Sequence, residues 1–375
     1  MQEGLLAFSD LMKKLFGFRR LTAGRILAPS DSRGRRFPAM HALRLFFALL
    51  VVWDHSHYIV GLSPRDMLPG IDPGTFAVWA FFFLSGFLVT NSWIHNSDPA
   101  RFAVHRAARI GPALLAALVF SSLVALGTLG FALTGVGHGF FGTTWGLAHE
   151  ILHDTIPGAY PGTRYASVLN GSLWSLRWEM AAYLFVLICG VAGMFRKTTI
   201  ANLGLVLALL LLLADPGGAF LYHGAHATFN VAYVLGEFIL GMLLAANFAR
   251  TSRWWIIMLA AIVLLIGHYA GEAMTEKWSL LAVPALLVYF VSISPIWRMP
   301  DLGWDLSYGT YVYAWPVEQW VHWHFPSLGP VSVFLVATPA ILVLAAMSWR
   351  YLELPVLERA KRYGPARRTV AMPAE

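Results

Sequence analysis

Two residues that are costly in an apolar stretch stand eleven positions apart in AMHALRLFFALLVVWDHSHYIV: Arg44 and His55. At about 100° per residue that interval returns to nearly the same helical face, roughly 16 Å further along the axis. One face thus offers a permanent cation at one end and a titratable base at the other. Arginine grips phosphate through a planar fork of donors, and histidine accepts and returns a proton near neutral pH. The pair suits a ligand with an anionic head and a reactive end far from it, the shape of an acyl-CoA. Each residue also has a plain role open to it, Arg44 as a snorkelling anchor and His55 as a packed imidazole. An ionisable group inside an apolar span is a functional candidate by default.

Other groups join them. Arg106 and Arg109 in RFAVHRAARI are three apart, hence neighbours on a helix surface, able to hold a diphosphate or simply to anchor a cytoplasmic loop. NGSLWSLRWEMAAY carries Trp174 and Glu179; Glu179 could orient His55, bind acceptor hydroxyls or form an interhelical ion pair, and Glu237 has a similar ambiguity. In FFFLSGFL, Ser85 and Gly86 read first as a close helix crossing. DLSYGTYVYAWPVEQ mixes Tyr308, Tyr311, Tyr313, Trp315, Glu318 and Gln319, which suits a sugar or lipid-head acceptor and also an interfacial aromatic belt. HEILH, with His149, Glu150 and His153, matches a short zinc pattern, but Asp154 is poorly placed as a third ligand, so no catalytic metal is expected. Cys189 is the single cysteine; no intramolecular disulfide can form, and its expected role is packing.

The elements that position these groups are membrane helices. The 375 residues are 58% hydrophobic and 13% charged, about half the charged share of a soluble domain. Ten runs approach the length that crosses a bilayer: 39–60, 75–94, 109–133, 173–194, 199–214, 228–248, 254–271, 278–296, 306–324 and 331–352. With the amino terminus inside, cytoplasmic segments hold 22 of the 27 Lys and Arg residues, so both termini are expected in the cytoplasm. The net charge of +7 is thereby spent on topology, and nucleic-acid binding is not expected. The expected organisation is a basic amino-terminal segment over 1–37, a ten-helix domain over 38–353 and a basic tail over 354–375. The first segment is too charged for a signal peptide; around Leu5–Arg20 it reads either as an amphipathic surface helix or as a disordered tail. The long outer loop of 134–172 reads as a cover or wall of a site.

In order and spacing these motifs resemble acyltransferase family 3, membrane proteins that O-acylate bacterial polysaccharides, lipid-linked sugars, Nod factors and some antibiotics. The resemblance covers about 38–358. Arg44 and His55 match its Arg/Lys-x10-His signature, FFFLSGFLV its second-span motif, and Arg106 with Arg109 its Arg-x-x-Arg pair. NGSLWSLRWE matches its Ser-Leu-Trp segment, DLSYGTYVYAWPVEQ its Ser-Tyr-Gly span, and SWRYLELP, with Ser348, Glu353 and Pro355, its closing motif. Arg177 departs from the pattern, in which an uncharged residue is usual. With so short a tail, a hydrolase-like domain such as some relatives carry is not expected, and the membrane domain is expected to perform the whole reaction.

The resemblance implies an all-α enzyme of the bacterial inner membrane that moves an acyl group, most simply acetyl, from cytoplasmic acyl-CoA to a hydroxyl of a carbohydrate or glycolipid at the outer face. Arg44, Arg106 and Arg109 would hold the donor's phosphates, His55 would act as general base with Glu179 beside it, and Ser85 or Trp174 would stabilise the oxyanion. Tyr308, Tyr311 and Gln319 would meet substrate. The competing class is a transporter of an anionic or sugar substrate, since intramembrane Arg, His and Glu also serve passage and proton coupling.

Overall fold

The computed structural model describes residues 39–67, 71–129, 155–214, 231–247, 283 and 304–362. Among them, the repeated elements are helices, with one isolated bridge between Thr155 and Val168. In chain order they are α1 (Ala39–Val60), α2 (Pro73–His95), α3 (Pro99–Thr128), α4 (Trp174–Val191), α5 (Thr198–Ala214), α6 (Val231–Asn247), α7 (Ser307–His324), α8 (Pro330–Ser348) and α9 (Leu354–Lys361). Among the described residues, five helical stretches are long and apolar enough to cross a membrane: those of α1, α2, α3 and α4, and the continuous Pro330–Lys361. Leu115, Val119, Leu123, Leu184, Ile188, Leu203, Leu207 and Leu335 are exposed on the outside of the bundle, as expected of surfaces whose solvent is hydrocarbon.

Helix starts follow local chemistry. Asp72 accepts from the Thr75 amide at 2.6 Å with Pro73 at the first turn, and Asp98 accepts from the Arg101 amide at 2.9 Å beside Pro99. Both are side-chain caps on otherwise unpaired amides, and both prolines sit where no amide hydrogen is needed. The cap at Asp98 starts α3 ten residues before the apolar run expected at 109, so Arg106 and Arg109 lie inside the helix. Near the other end of the chain the expected span at 331–352 does not stop: a π-helical turn, Trp349–Glu353, leads into α9. The expected spans at 254–271 and 278–296, the zinc-like segment at 149–153 and the amino-terminal segment lie largely or wholly outside the described residues.

Contacts fix the directions of the central helices. Arg44 meets Asp305, just before α7, and His55 meets Glu318 within α7, so α1 and α7 run the same way. Arg109 meets Asp305, and Phe120 packs against Tyr313, which sets α3 parallel to both. Tyr58 bonds Asp72 and Phe47 packs on Phe81, so α2 returns antiparallel. α7 is nearly all buried, including Ser307, Thr310, Glu318 and Gln319. Pro316 withdraws the amide that would bond the Val312 carbonyl four residues earlier. The Asn170 amide group supplies the missing donor to that carbonyl at 2.8 Å.

α2 and α6 cross at two glycines. A Cβ on Gly86 would stand 2.1 Å from the Phe238 carbonyl oxygen, and one on Gly241 2.1 Å from that of Phe83. Both obstacles are backbone, so neither can swing aside. Gly241→Ala is expected to force the helices apart and cost about 1–3 kcal/mol, read as a lowered melting temperature in detergent; an unchanged melting temperature would refute the crossing.

Candidate active site

At the Arg44 end of α1, two guanidiniums share one carboxylate. Arg44 Nη1 donates to Asp305 Oδ2 at 2.7 Å and Arg109 Nη2 to the same oxygen at 2.6 Å. Arg109 Nη1 also donates to Glu353 Oε2 at 3.1 Å, at the end of the π-helical turn. Ser307 Oγ donates to Asp305 Oδ1 at 2.5 Å, Ser348 Oγ to Glu353 Oε1 at 3.1 Å, and His41 Nδ1 lies 3.5 Å from Asp305 Oδ2. Burial alone would raise the Asp305 carboxyl, but the Arg109 and Arg44 guanidiniums, with His41, hold it well below the usual carboxylate range. The Arg109 guanidinium is also flanked by the Tyr308 and Trp349 rings, 5.6 and 5.8 Å from their centroids, within cation–π range.

Beside this cluster is a cavity of about 570 Å³, its open mouth included, lined by Arg44, Ser85, Arg109, Ser175, Glu179, Tyr183, Tyr308 and Tyr311 among others. Six residues singled out in the sequence therefore meet at one wall system: Arg44, Arg109, Ser85, Glu179, Tyr308 and Tyr311. Glu179 Oε1 accepts from Ser85 Oγ at 2.8 Å and from the Tyr183 hydroxyl at 2.6 Å. Tyr311 pairs its hydroxyl with Ser175 Oγ at 2.7 Å, and the Tyr308 hydroxyl donates to the Ile110 carbonyl at 3.1 Å. Arg177 is exposed and bonds its own helix at the Trp174 carbonyl, so Glu179 and Arg177 form no ion pair.

His55 lies further along the same two helices. Its Nδ1 is 3.8 Å from Glu318 Oε2, and its ring meets Trp315 edge to face at 5.1 Å between centroids. Glu318 is fully buried, and neither of its oxygens has a hydrogen-bond partner. The carboxylate beside His55 is thus Glu318, while Glu179 serves the cavity. Tyr308 and Tyr311 reach the cavity from α7, and Trp315 and Glu318, one and two turns further on, reach His55. The site is consequently elongated along α1 and α7, with its cationic cluster at one end and its imidazole at the other.

Arg106, Trp174 and Gln319 do not line the cavity. Arg106 stacks over Phe102 and Tyr183, both at 5.8 Å; Trp174 is partly buried against the core; Gln319 is fully buried. Glu237 is fully buried between helices with neither oxygen hydrogen-bonded. Cys189 is a buried free thiol. The residue least visible in the sequence is Asp305: an acid just before an apolar run signals a helix start as readily as a partner for two distant arginines.

Residues 37–350 match the Acyltransferase domain family known as acyltransferase 3. An O-acetyl transferase of Shigella phage Sf6 is 28% identical over 334 residues, which is 84% of this chain and 95% of that protein. Nodulation protein 10 of Rhizobium leguminosarum bv. viciae is 28% identical over 363 residues, 84% of this chain and 92% of the relative. No solved structure matches. The family match takes in α1 through α8, and with them Arg44, Arg109 and Asp305 at one end of the elongated site and His55 and Glu318 at the other: the chain belongs to the acyltransferase 3 family and is an acyltransferase.

Proposed function

We propose that this enzyme transfers an acyl group, most simply acetyl, from cytoplasmic acyl-CoA to a hydroxyl of a carbohydrate or glycolipid at the outer face of a bacterial inner membrane. The observation that carries this reading is the polarity of the site: cations and cavity at one end of α1 and α7, a histidine with a buried carboxylate at the other. The parallel run of α1, α3 and α7 and the antiparallel return of α2 are the directions that ten alternating spans with both termini inside require. The proposed division stays 1–37, 38–353 and 354–375, with the Arg44 cluster toward the cytoplasm.

In this reading the guanidiniums of Arg44 and Arg109 meet the donor's phosphates with the donors that Asp305 and Glu353 leave over, since each guanidinium carries five. Arg106 adds charge behind them. The thioester end reaches toward His55 past Ser85 and Glu179. His55 removes the proton from the acceptor hydroxyl as its oxygen attacks the thioester carbonyl; a C–O bond forms, the C–S bond breaks, and the proton passes to the departing thiolate. Glu318 stabilises the imidazolium that forms between those steps. Transfer of an acyl group to oxygen agrees with the name of one relative, an O-acetyl transferase.

Protein reconstituted in liposomes, given acetyl-CoA and a panel of oligosaccharides, should release free thiol and form acetyl ester in equal amounts; substrate flux with no thiol release would instead establish a transporter. Every described hydrogen bond to Glu179 ends on Oε1, which leaves Oε2 for a donor in the cavity. Glu179→Gln is accordingly expected to raise the KM for the ligand in the cavity about 10-fold, the value of one charge-assisted hydrogen bond, with kcat little changed. A fall in kcat at constant KM would move Glu179 into the chemistry.

A further inference from the structure

Gln319 stood out in the sequence as a group that could meet an acceptor, yet both ends of its amide are occupied. Its Oε1 accepts from Trp315 Nε1 at 2.5 Å, and its Nε2 donates to the Tyr165 carbonyl at 2.8 Å. Only one orientation of the amide satisfies both partners, so donor and acceptor are fixed. The side chain is fully buried.

The partners lead in two directions. Trp315 is the ring against which His55 packs, 5.1 Å away with the planes at 82°. On its other sides the indole meets the Tyr165 ring at 5.0 Å and the backbone at Gly171, where a Cβ would come within 2.7 Å of the ring. The indole cannot tilt without losing the Gln319 bond or striking that backbone. Tyr165 and Gly171 belong to the segment 155–173, which is anchored on α7 by Asn170 at the Val312 carbonyl and on α1 by Arg164, whose Nη1 donates to the Gly61 carbonyl at 3.0 Å. Gly61 follows directly on the helix that carries His55.

We infer that Gln319 is a positioning residue: through Trp315 it sets the orientation of His55, and through Tyr165 it makes that orientation depend on the segment 155–173 being seated. The inference rests on His55 as the base of the proposed reaction. Its chain of contacts is Tyr165 backbone, Gln319 amide, Trp315 indole, His55 imidazole. Neither Gln319 nor Trp315 touches substrate in this role, so truncation should change how often His55 is correctly aimed and leave donor binding alone.

The test uses the full-length purified protein with Gln319→Leu, Trp315→Phe and the double variant. Trp315→Phe keeps a ring face but removes the N–H. Carbethoxylation of His55 by diethyl pyrocarbonate, read by peptide mass spectrometry, is expected to speed up several-fold in each single variant, because the imidazole is no longer held. With acetyl-CoA and an oligosaccharide accepted by the wild-type protein, kcat should fall about 10- to 100-fold, the effect of a base displaced by roughly 1 Å, at unchanged KM for acetyl-CoA. The double variant should be no worse than Gln319→Leu, since one path is cut twice. Unchanged labelling of His55 in a folded Gln319→Leu protein, additive losses in the double variant, or a change confined to the KM for the oligosaccharide would each overturn the proposal. Full transfer activity in His55→Ala would overturn the general-base reading instead, and labelling in the Gln319 variant would still decide whether the clamp exists.

Discussion

His55→Ala is expected to lower acyl transfer about 100- to 10,000-fold, the range a positioned general base supplies, while leaving the KM for acetyl-CoA within about 2-fold. The split follows from geometry. His55 stands with Glu318 and Trp315, whereas Arg44 and Arg109 stand with Asp305 and Glu353 at the other end of α1 and α7. Glu318→Gln preserves shape and removes the carboxylate that lies 3.8 Å from the imidazole, so it should lower kcat in the same direction by a smaller factor. Thiol release assayed on reconstituted protein measures both. A His55→Ala enzyme with wild-type turnover would remove the imidazole from the mechanism.

Asp305→Asn is expected to be the most destabilising single substitution in the site. It leaves the Arg44 and Arg109 guanidiniums facing one another with the shared anion gone, and removing one partner of a buried ion pair costs about 3–5 kcal/mol. Because the Asp305 carboxyl is held well below the usual carboxylate range by those cations, its contribution is complete above that range and is lost only as pH falls through the depressed value. The wild-type protein should therefore keep its melting temperature through mildly acidic pH, and the variant should lack the drop at strongly acidic pH that protonation of Asp305 causes. Thermal unfolding in detergent across pH reads both. A variant as stable as the wild type would mean that the cavity-facing arginines need no internal anion.

What could be read from the sequence was whatever is local. The eleven-residue interval of Arg44 and His55 put both on one face of α1, the face that meets α7, while the starts of α2 and α3, expected at 75 and 109, are set by the caps at Asp72 and Asp98. Ser85 and Gly86 were read as a close helix crossing, which Gly86 makes, whereas the hydrogen bond of Ser85 to Glu179 was not foreseen. Partners across long separations were not legible. Asp305 lies 261 residues from Arg44 and 196 from Arg109, and Glu353 lies 244 from Arg109; no periodicity connects them. Glu179 was the acid expected beside His55, and Glu318 stands there instead, because the choice depends on which face α7 turns toward α1. Gln319 was recognised as unusual for its polarity, but its use is decided by the Tyr165 carbonyl, which any residue type would present.

The burial of α7 also bears on how the protein is made. Its serine, threonine, tyrosines, glutamate and glutamine face neighbouring helices, and it is absent from the stretches apolar enough to cross a membrane unaided. Such a segment leaves the translocation channel reluctantly on its own, since polar groups at membrane depth are tolerated only when protein surrounds them. α8 follows after five residues, is strongly apolar and packs along α7. In the proposed ten-span arrangement, delivery of α7 into the bilayer is therefore expected to be a joint event with α8, and a nascent chain halted before Pro330 would hold the helix bearing Glu318 at the channel, waiting for its escort.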